Sequence, residues 1–183
     1  MSDSLAPGFL IAVPQMQDPN FKQSVVFLLE RNEEGALGVV INRESPMLLA
    51  DLCGDHQINY SGQQGKLVRH GGPVQPEQGI VVYGNEHSDP EGREVCKGLH
   101  VSASRGTLGR LCDLESGRFH CYSGYTGWGP GQLEREIEEG SWVYASAHAG
   151  SLLDTDPEAI WEEVLRREGI EPGALVQGGS AQA

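Results

Sequence analysis

The 183 residues predict a single α+β domain, and three observations carry that expectation. Short β-branched or aromatic runs, each bounded by Gly, Pro, Asn or Asp, outnumber the helical patterns. The helical patterns fall between and after these runs rather than alternating with them, which argues against a regular βαβ chain. With 38% hydrophobic and 21% charged residues, a chain of this size is globular and needs neither disulfides nor a metal to hold its core.

Phe9–Val13 opens as a strand. Ser24–Glu30 and Leu37–Asn42 follow, and the polar turn Arg31-Asn32-Glu33-Glu34-Gly35 between them predicts an antiparallel hairpin. Pro46–Cys53 places Leu48, Leu49 and Leu52 on one side and reads as a helix. Gly54–Gly65 is polar and aperiodic, a surface loop. After Leu67–Arg69 the run His70-Gly71-Gly72-Pro73-Val74 reverses the chain, and Gly79–Tyr83 is the next strand. Asn85–Gly98 reads as a second loop. Thr107–Leu114 gathers Leu108, Leu111 and Cys112 on a helix, and Phe119–Tyr125 is a strand. Pro130–Glu139 reads as a helix with Pro130 in its first turn and Leu133 and Ile137 one above the other. Trp142–Ala145 is a strand, and the small residues around His148 read as an exposed loop. The last helix, Pro157–Glu168, carries the apolar stripe Ile160, Trp161, Val164, Leu165, with Thr155 and Glu158 in a capping-box pattern. Residues 1–170 form the domain, and 171–183, where the amphipathic pattern is lost, are expected to be a flexible tail.

Thirteen basic against 26 acidic residues give a formal net charge of −13, with the excess spread over both halves. Nucleic-acid affinity rests on cations that neutralise phosphates, so the charge balance ranks direct DNA binding last. The first eight residues hold no Lys or Arg, and the apolar run Phe9–Val13 is too short for a signal or a membrane span, so a cytoplasmic protein is expected. Cys53, Cys96, Cys112 and Cys121 are irregularly spaced and read as buried free thiols. The one metal-like set, His100, Cys112, His120 and Cys121, fails because adjacent strand residues face opposite ways. No metal or cofactor is expected.

Two glycine-rich segments invite a ligand. Tyr122–Glu134 reads as strand, glycine-rich turn and helix start, the layout that cradles phosphate. No Lys follows the glycines, however, and Glu134 and Glu136 occupy the first turns, where Glu134 favours the helix N-terminus electrostatically. The glycines are therefore read as permitting tight turns and close backbone approach, with Trp128 either a packed plug or an exposed anchor. Gly71-Gly72 has the same structural reading, with an anion nest as its alternative. There is no nucleophile elbow, and the carboxylate pairs Glu138/Glu139 and Glu162/Glu163 diverge on their helices. An enzyme would need a site assembled from distant residues, for instance His70, Ser123 and His148.

Several ordered motifs together resemble one family. They are Phe9–Pro14; Asp18-Pro19 with Phe21 and Ser24–Val26; Gly35–Gly38 with Asn42; Gly71–Val74; and Gly124-Tyr125, Gly127-Trp128 and Gly131–Glu134 with Glu136-Ile137, then Trp142. The chain resembles the YqgE/AlgH family over nearly its whole length. That resemblance implies a bent, bifurcated mixed sheet folded into a barrel-like body with flanking helices. It implies no catalytic residues, and it brings a transcription-regulator label that some members carry. The resulting expectation is a non-enzymatic binding or regulatory protein that acts indirectly, through a protein or small-molecule partner. Its candidate binding surface is Gly71, Gly72, Gly124, Trp128 and Gln132, with Trp128 as the aromatic anchor. An enzyme with a dispersed site is the alternative.

Overall fold

The computed structural model describes residues 7–173. The first half runs β1 (Gly8–Ala12), β2 (Val25–Asn32), β3 (Gly35–Val40), β4 (Glu44–Leu48), α1 (Leu49–Asp55), β5 (Leu67–His70) and β6 (Val74–Gly84). The second half runs β7 (Arg93–Cys96), β8 (Leu99–Ser102), α2 (Arg105–Cys112), β9 (Phe119–Trp128), α3 (Gln132–Glu138), β10 (Trp142–Ala145), α4 (Ala149–Asp154) and α5 (Pro157–Arg167). All ten strands join one sheet in the order β10-β1-β2-β3-β9-β6-β8-β7, with β4 and β5 branching from β9. The sheet curls into a half-barrel flanked by helices, a mixed α+β domain as the family resemblance implies.

β1 and most of β2 are buried on both faces, and their period of two deals side chains to two layers. Phe9 and Ile11 of β1, with Val25, Phe27 and Leu29 of β2, pack on α4 and α5 through Leu152, Leu153, Ile160, Trp161 and Leu165. Leu10, Ala12, Val26 and Leu28 point the other way, towards Leu133 of α3 and towards Trp128 and Trp142. A third cluster lies further along the sheet, where Val81, Tyr83, Phe119 and Cys121 meet Leu49 and Cys53 of α1 and Leu111 and Cys112 of α2.

The expected hairpin forms, tighter than its turn residues suggest: β2 and β3 pair to Asn32↔Gly35, leaving only Glu33 and Glu34 in the turn. Asn42 pins its open end, accepting from the Val25 amide at 3.0 Å and donating to the Gln23 carbonyl at 2.9 Å.

Other expectations are corrected. Of the helix expected over Pro46–Cys53, residues 46–48 belong instead to β4 and the helix begins at Leu49; Pro46 is tolerated because β4 pairs with β5 alone. The stretch Asn85–Gly98, read as loop, holds β7, which turns back on β8 through Lys97 and Gly98. Arg93 and Glu94 are exposed there because β7 is the sheet's edge, and an edge strand need not look apolar. The stretch around His148, read as exposed loop, begins α4, whose Ser151, Leu152 and Leu153 are buried. The Thr155/Glu158 capping box does not form: Asp156 is the α5 N-cap and makes no side-chain cap bond, while Pro157 supplies the preset first turn. Pro130 precedes α3, whose N-cap is Gly131 in the left-handed region. Of the expected tail, residues 174–183 lie outside the described residues.

A polar contact ties α5 to the sheet, the buried indole N–H of Trp161 donating to the Ala12 carbonyl at 2.7 Å. Trp161→Phe keeps an aromatic ring in the core but deletes that donor. The expected loss is about 1–3 kcal/mol in denaturant unfolding, the cost of an unpaired buried group; an unchanged midpoint would show that the bond contributes nothing.

Candidate functional site

The glycines singled out in sequence meet at a fork in the sheet. On one flank of β9, Tyr122 and Ser123 pair in parallel with Arg69 and His70 of β5. A few residues later the same flank is occupied by β3, with Thr126, Gly127 and Trp128 opposite Gly38, Leu37 and Ala36. The chain leaving β5 must escape through this fork. Gly71 takes the Ser123 carbonyl with its amide at 2.8 Å and offers its own carbonyl to Val40 at 2.9 Å. A β-carbon on Gly71 would collide with the Gly124 carbonyl, one on Gly72 with the Tyr125 backbone, and one on Gly124 with the Gly72 carbonyl. Gly124 also sits at φ +73°, where any other L-residue is strained. The structure thus brings Gly71, Gly72 and Gly124 together in backbone-to-backbone packing, with all three buried.

Trp128 and Gln132 lie apart from that fork. The β9 strand runs through Gly124 and Gly127 to Trp128, so the expected long glycine turn shrinks to Gly129–Gly131. Trp128 is the plug of the two readings, 5% exposed against Leu133, Phe21 and Trp142. Its indole N–H donates to Glu136 Oε1 at 3.0 Å, and the Trp142 indole donates to the same oxygen at 2.9 Å. Gln132 donates to the other Glu136 oxygen and accepts from the Gly129 amide, both at 3.0 Å. The polar groups that a phosphate would need at this helix start are therefore used internally. Glu134 in the same turn pairs with Arg31 at 2.5 Å. Its own amide and that guanidinium hold its carboxyl below the usual range.

Of the dispersed trio, His70 and Ser123 are register neighbours on β5 and β9. The Ser123 hydroxyl donates to the Pro76 carbonyl at 2.6 Å. His148 instead caps α4: its Nδ1 accepts the Ser151 amide at 3.1 Å and lies 2.9 Å from the Ser151 hydroxyl, which in turn reaches Glu163 at 3.0 Å. Ser151 is fully buried, so its hydroxyl is closed to a substrate.

Two surface cavities lie along β9, one lined by Cys121 and the other by Phe119 and His120. Cys121 lines a cleft of about 180 Å³ between α1 and α2. Leu52, Ile58, Val81 and Leu108 make its apolar floor, with His56, Glu77, Ser104 and Arg105 around them. Behind it Cys53 and Cys112 lie with sulfurs 3.3 Å apart. Burial pushes all three thiols up, Cys121 to about 12, which makes them poor nucleophiles. The expected free thiols are buried at these three positions, and Cys96 is half-buried.

His120, facing the other way, lines a cavity of about 520 Å³ with Lys66, Arg118, Phe119, Leu153 and Asp154. Its Nε2 meets the Leu153 carbonyl at 3.1 Å. Burial, then the charges of Arg69 and Lys66, lower its pKa to about 3. Sequence reasoning placed neither cavity, because each is assembled from segments far apart in the chain.

A family model described as DUF179, AlgH-like, matches residues 9–173. A UPF0301 protein of Myxococcus xanthus is 42% identical over 179 residues, covering 96% of this chain and 97% of that relative. The solution structure of the AlgH protein from Pseudomonas aeruginosa superposes with a TM-score of 0.76 at 33% identity, covering 96% and 97% of the two chains. The crystal structure of protein DIP2367 from Corynebacterium diphtheriae shares the fold at the same TM-score and 24% identity, covering 91% of this chain and 89% of that one.

Two outcomes test this geometry. Glu136→Ala strands both indole donors and should cost about 2–4 kcal/mol, whereas Glu136→Gln keeps an acceptor oxygen and should cost less than about 1 kcal/mol; equal losses would deny the shared-acceptor role. For His120, the unfolded chain takes up a proton below about 6.5, but the folded chain resists until about 3. Its contribution is complete above 6.5 and is lost as pH falls towards 3, with a slope of up to about 1.4 kcal/mol per pH unit. Unfolding curves of His120→Gln should therefore fall less steeply across that window than those of the wild type, and parallel curves would refute a neutral buried imidazole.

Proposed function

The chain belongs to the AlgH-like family, and from that premise we propose that it is a non-enzymatic binding protein that docks an apolar side chain of a protein partner in the cleft between α1 and α2. The observation that carries this reading is the cleft itself. Its floor is aliphatic, and a small set of polar groups rings it, the arrangement of an anchor pocket at a protein interface. Its volume, about 180 Å³, falls short of the roughly 300–1,000 Å³ of small-molecule sites and suits one large side chain. The Arg105 guanidinium, which donates to the His56 carbonyl, bridges α2 to the end of α1 and holds the rim.

A regulatory role would then be exerted through the partner, since a surface of net charge −13 repels a polyanion. The same geometry moves the anchor away from the surface expected in sequence. Trp128 is internal, and Gly71, Gly72 and Gly124 pack backbone to backbone where the chain leaving β5 crosses β9.

Gly79 provides a clean test. It lines the cleft from β6, and a β-carbon there meets nothing within 4 Å, so Gly79→Val adds bulk at the cleft wall with room for its first carbon. Partners captured from lysate by the wild type should be lost by Gly79→Val at an unchanged melting temperature. Retention of every partner by the variant would remove the cleft from recognition.

A further inference from the structure

Behind the cleft lies a pair of groups that the binding reading does not use. The sulfurs of Cys53 and Cys112 meet at 3.3 Å although the residues are 59 positions apart, and both side chains are fully buried. Cys53 stands in the last turn of α1 and Cys112 ends α2, so the contact joins the two helices that wall the cleft. The connection after α1 bonds to both residues: the Ile58 amide donates to the Cys53 carbonyl at 2.7 Å, and the Ser61 amide to the Cys112 carbonyl at 2.8 Å. Ile58 and Tyr60 of that connection pack on the same apolar cluster as the two thiols. A disulfide holds its sulfurs at about 2.05 Å, so this pair has only about 1.3 Å to close. One buried thiol packs as a small hydrophobe; two in contact, carried by separate helices, can also join.

We propose that Cys53 and Cys112 are a reversible disulfide site, closed by a hydroperoxide, that locks α1 to α2 and fixes the cleft between them. Hydrogen peroxide is close to water in size, which suits a pair with no exposed surface. Burial raises both thiols, so the first step is slow. The hydrogen bond between them offsets part of that rise at Cys53 and adds to it at Cys112, which makes Cys53 the attacking sulfur. Cys53 loses its proton and takes one peroxide oxygen; the O–O bond breaks, and the departing hydroxide leaves as water. Cys112 then gives up its proton and displaces hydroxide from the Cys53 sulfenic acid, which also leaves as water. Two thiols and one peroxide give one disulfide and two waters, with two electrons passing from sulfur to oxygen. A bond made by an oxidant and opened by a thiol reductant is compatible with the cytoplasmic setting expected from sequence. Leu52 adjoins Cys53, and Leu108 lies one helical turn before Cys112, so drawing the sulfurs together acts directly on the apolar floor of the cleft. Control of recognition by this lock rests on the reading of the cleft as a docking site, whereas the bond itself does not.

The experiment reads the bond without any partner, so its outcome is separate from that of Gly79→Val. The reduced full-length protein is held in hydrogen peroxide, quenched with catalase, unfolded in N-ethylmaleimide and mapped by peptide mass spectrometry. Cys53 linked to Cys112 should be the dominant disulfide, and dithiothreitol should reopen it. Closing so long a loop should raise the melting temperature of the oxidised protein by at least about 5 °C over the reduced one. Cys53→Ser and Cys112→Ser should show no such rise, and in Cys112→Ser dimedone should trap a sulfenic acid on Cys53. Thiols that stay reduced until the protein is unfolded, sulfinic or sulfonic acids in place of the link, or a dominant link to Cys96 or Cys121 would each overturn the proposal. So would a linked protein whose melting temperature does not rise.

Discussion

The fold depends on a contact between bare backbones. Where β9 exchanges β5 for β3 along one flank, the chain leaving β5 passes so close to β9 that no side chain fits between them. Gly71, Gly72 and Gly124 are the residues that allow it. The hydrogen bonds there are shared among three segments: Ser123 of β9 is bonded by Gly71, and Gly71 is bonded by Val40 at the end of β3. A sheet cannot normally offer two neighbours on one edge of one strand. The fork solves this by letting β5 stop where β3 begins, and the glycines carry the crossing.

Once the fork is set, the rest of the architecture follows from strand alternation. β9 runs unbroken through the fork, so its successive side chains face different surroundings. His120 and Tyr122 face the layer beneath α4 and α5, and Phe119 and Cys121 face α1 and α2. Both surface cavities take residues from this strand, Cys121 in one and Phe119 and His120 in the other. The same rule excludes the metal site considered from sequence, because His120 and Cys121 stand back to back. At the far end of β9, the strand closes on α3 through one carboxylate, Glu136, that serves two indoles. Glu136 is half-exposed at the rim of that apolar cluster, and Trp128, Trp142 and Gln132 use both of its oxygens.

What was legible in the sequence was whatever is buried on two faces. β1, β2, β3 and β10 announce themselves as short apolar runs because both layers of the core lie against them. α5 shows its stripe because one face is buried and the other is solvated. Elements at the margin were hidden. β4 contains a proline and β7 presents Arg93 and Glu94, and each sits at the limit of the sheet, where polarity is tolerated. β8 is fully buried yet carries His100 and Ser102, whose polar atoms are absorbed by Asn85 and Thr107. The glycine clusters were read correctly as shaping backbone, but which segments they bring together depends on long-range pairing that no local pattern encodes. The cavities were invisible for the same reason: Lys66 and His120 are 54 positions apart, and Leu52 and Leu108 are 56 apart, yet each pair lines a single hollow.

Charge is arranged in the opposite sense to that surface count. A chain with twice as many acids as bases places Arg69 in its interior and Lys66 at the edge of it, both bonded to carbonyl oxygens rather than carboxylates. Burying a cation without a counterion costs several kcal/mol before relaxation. Carbonyl oxygens and, for Lys66, the face of the Phe119 ring offset part of that cost. Arginine stays a fixed charge, whereas desolvation and then the charge of Arg69 lower the Lys66 pKa to about 8, so the two positions are not interchangeable. The acids that line the same cavity leave that amine alone, because Asp154 and Glu86 are already committed to Arg118. Both cations belong to the strand crossing that fixes the fold: Lys66 immediately precedes the short strand β5, which carries Arg69 and ends at the fork.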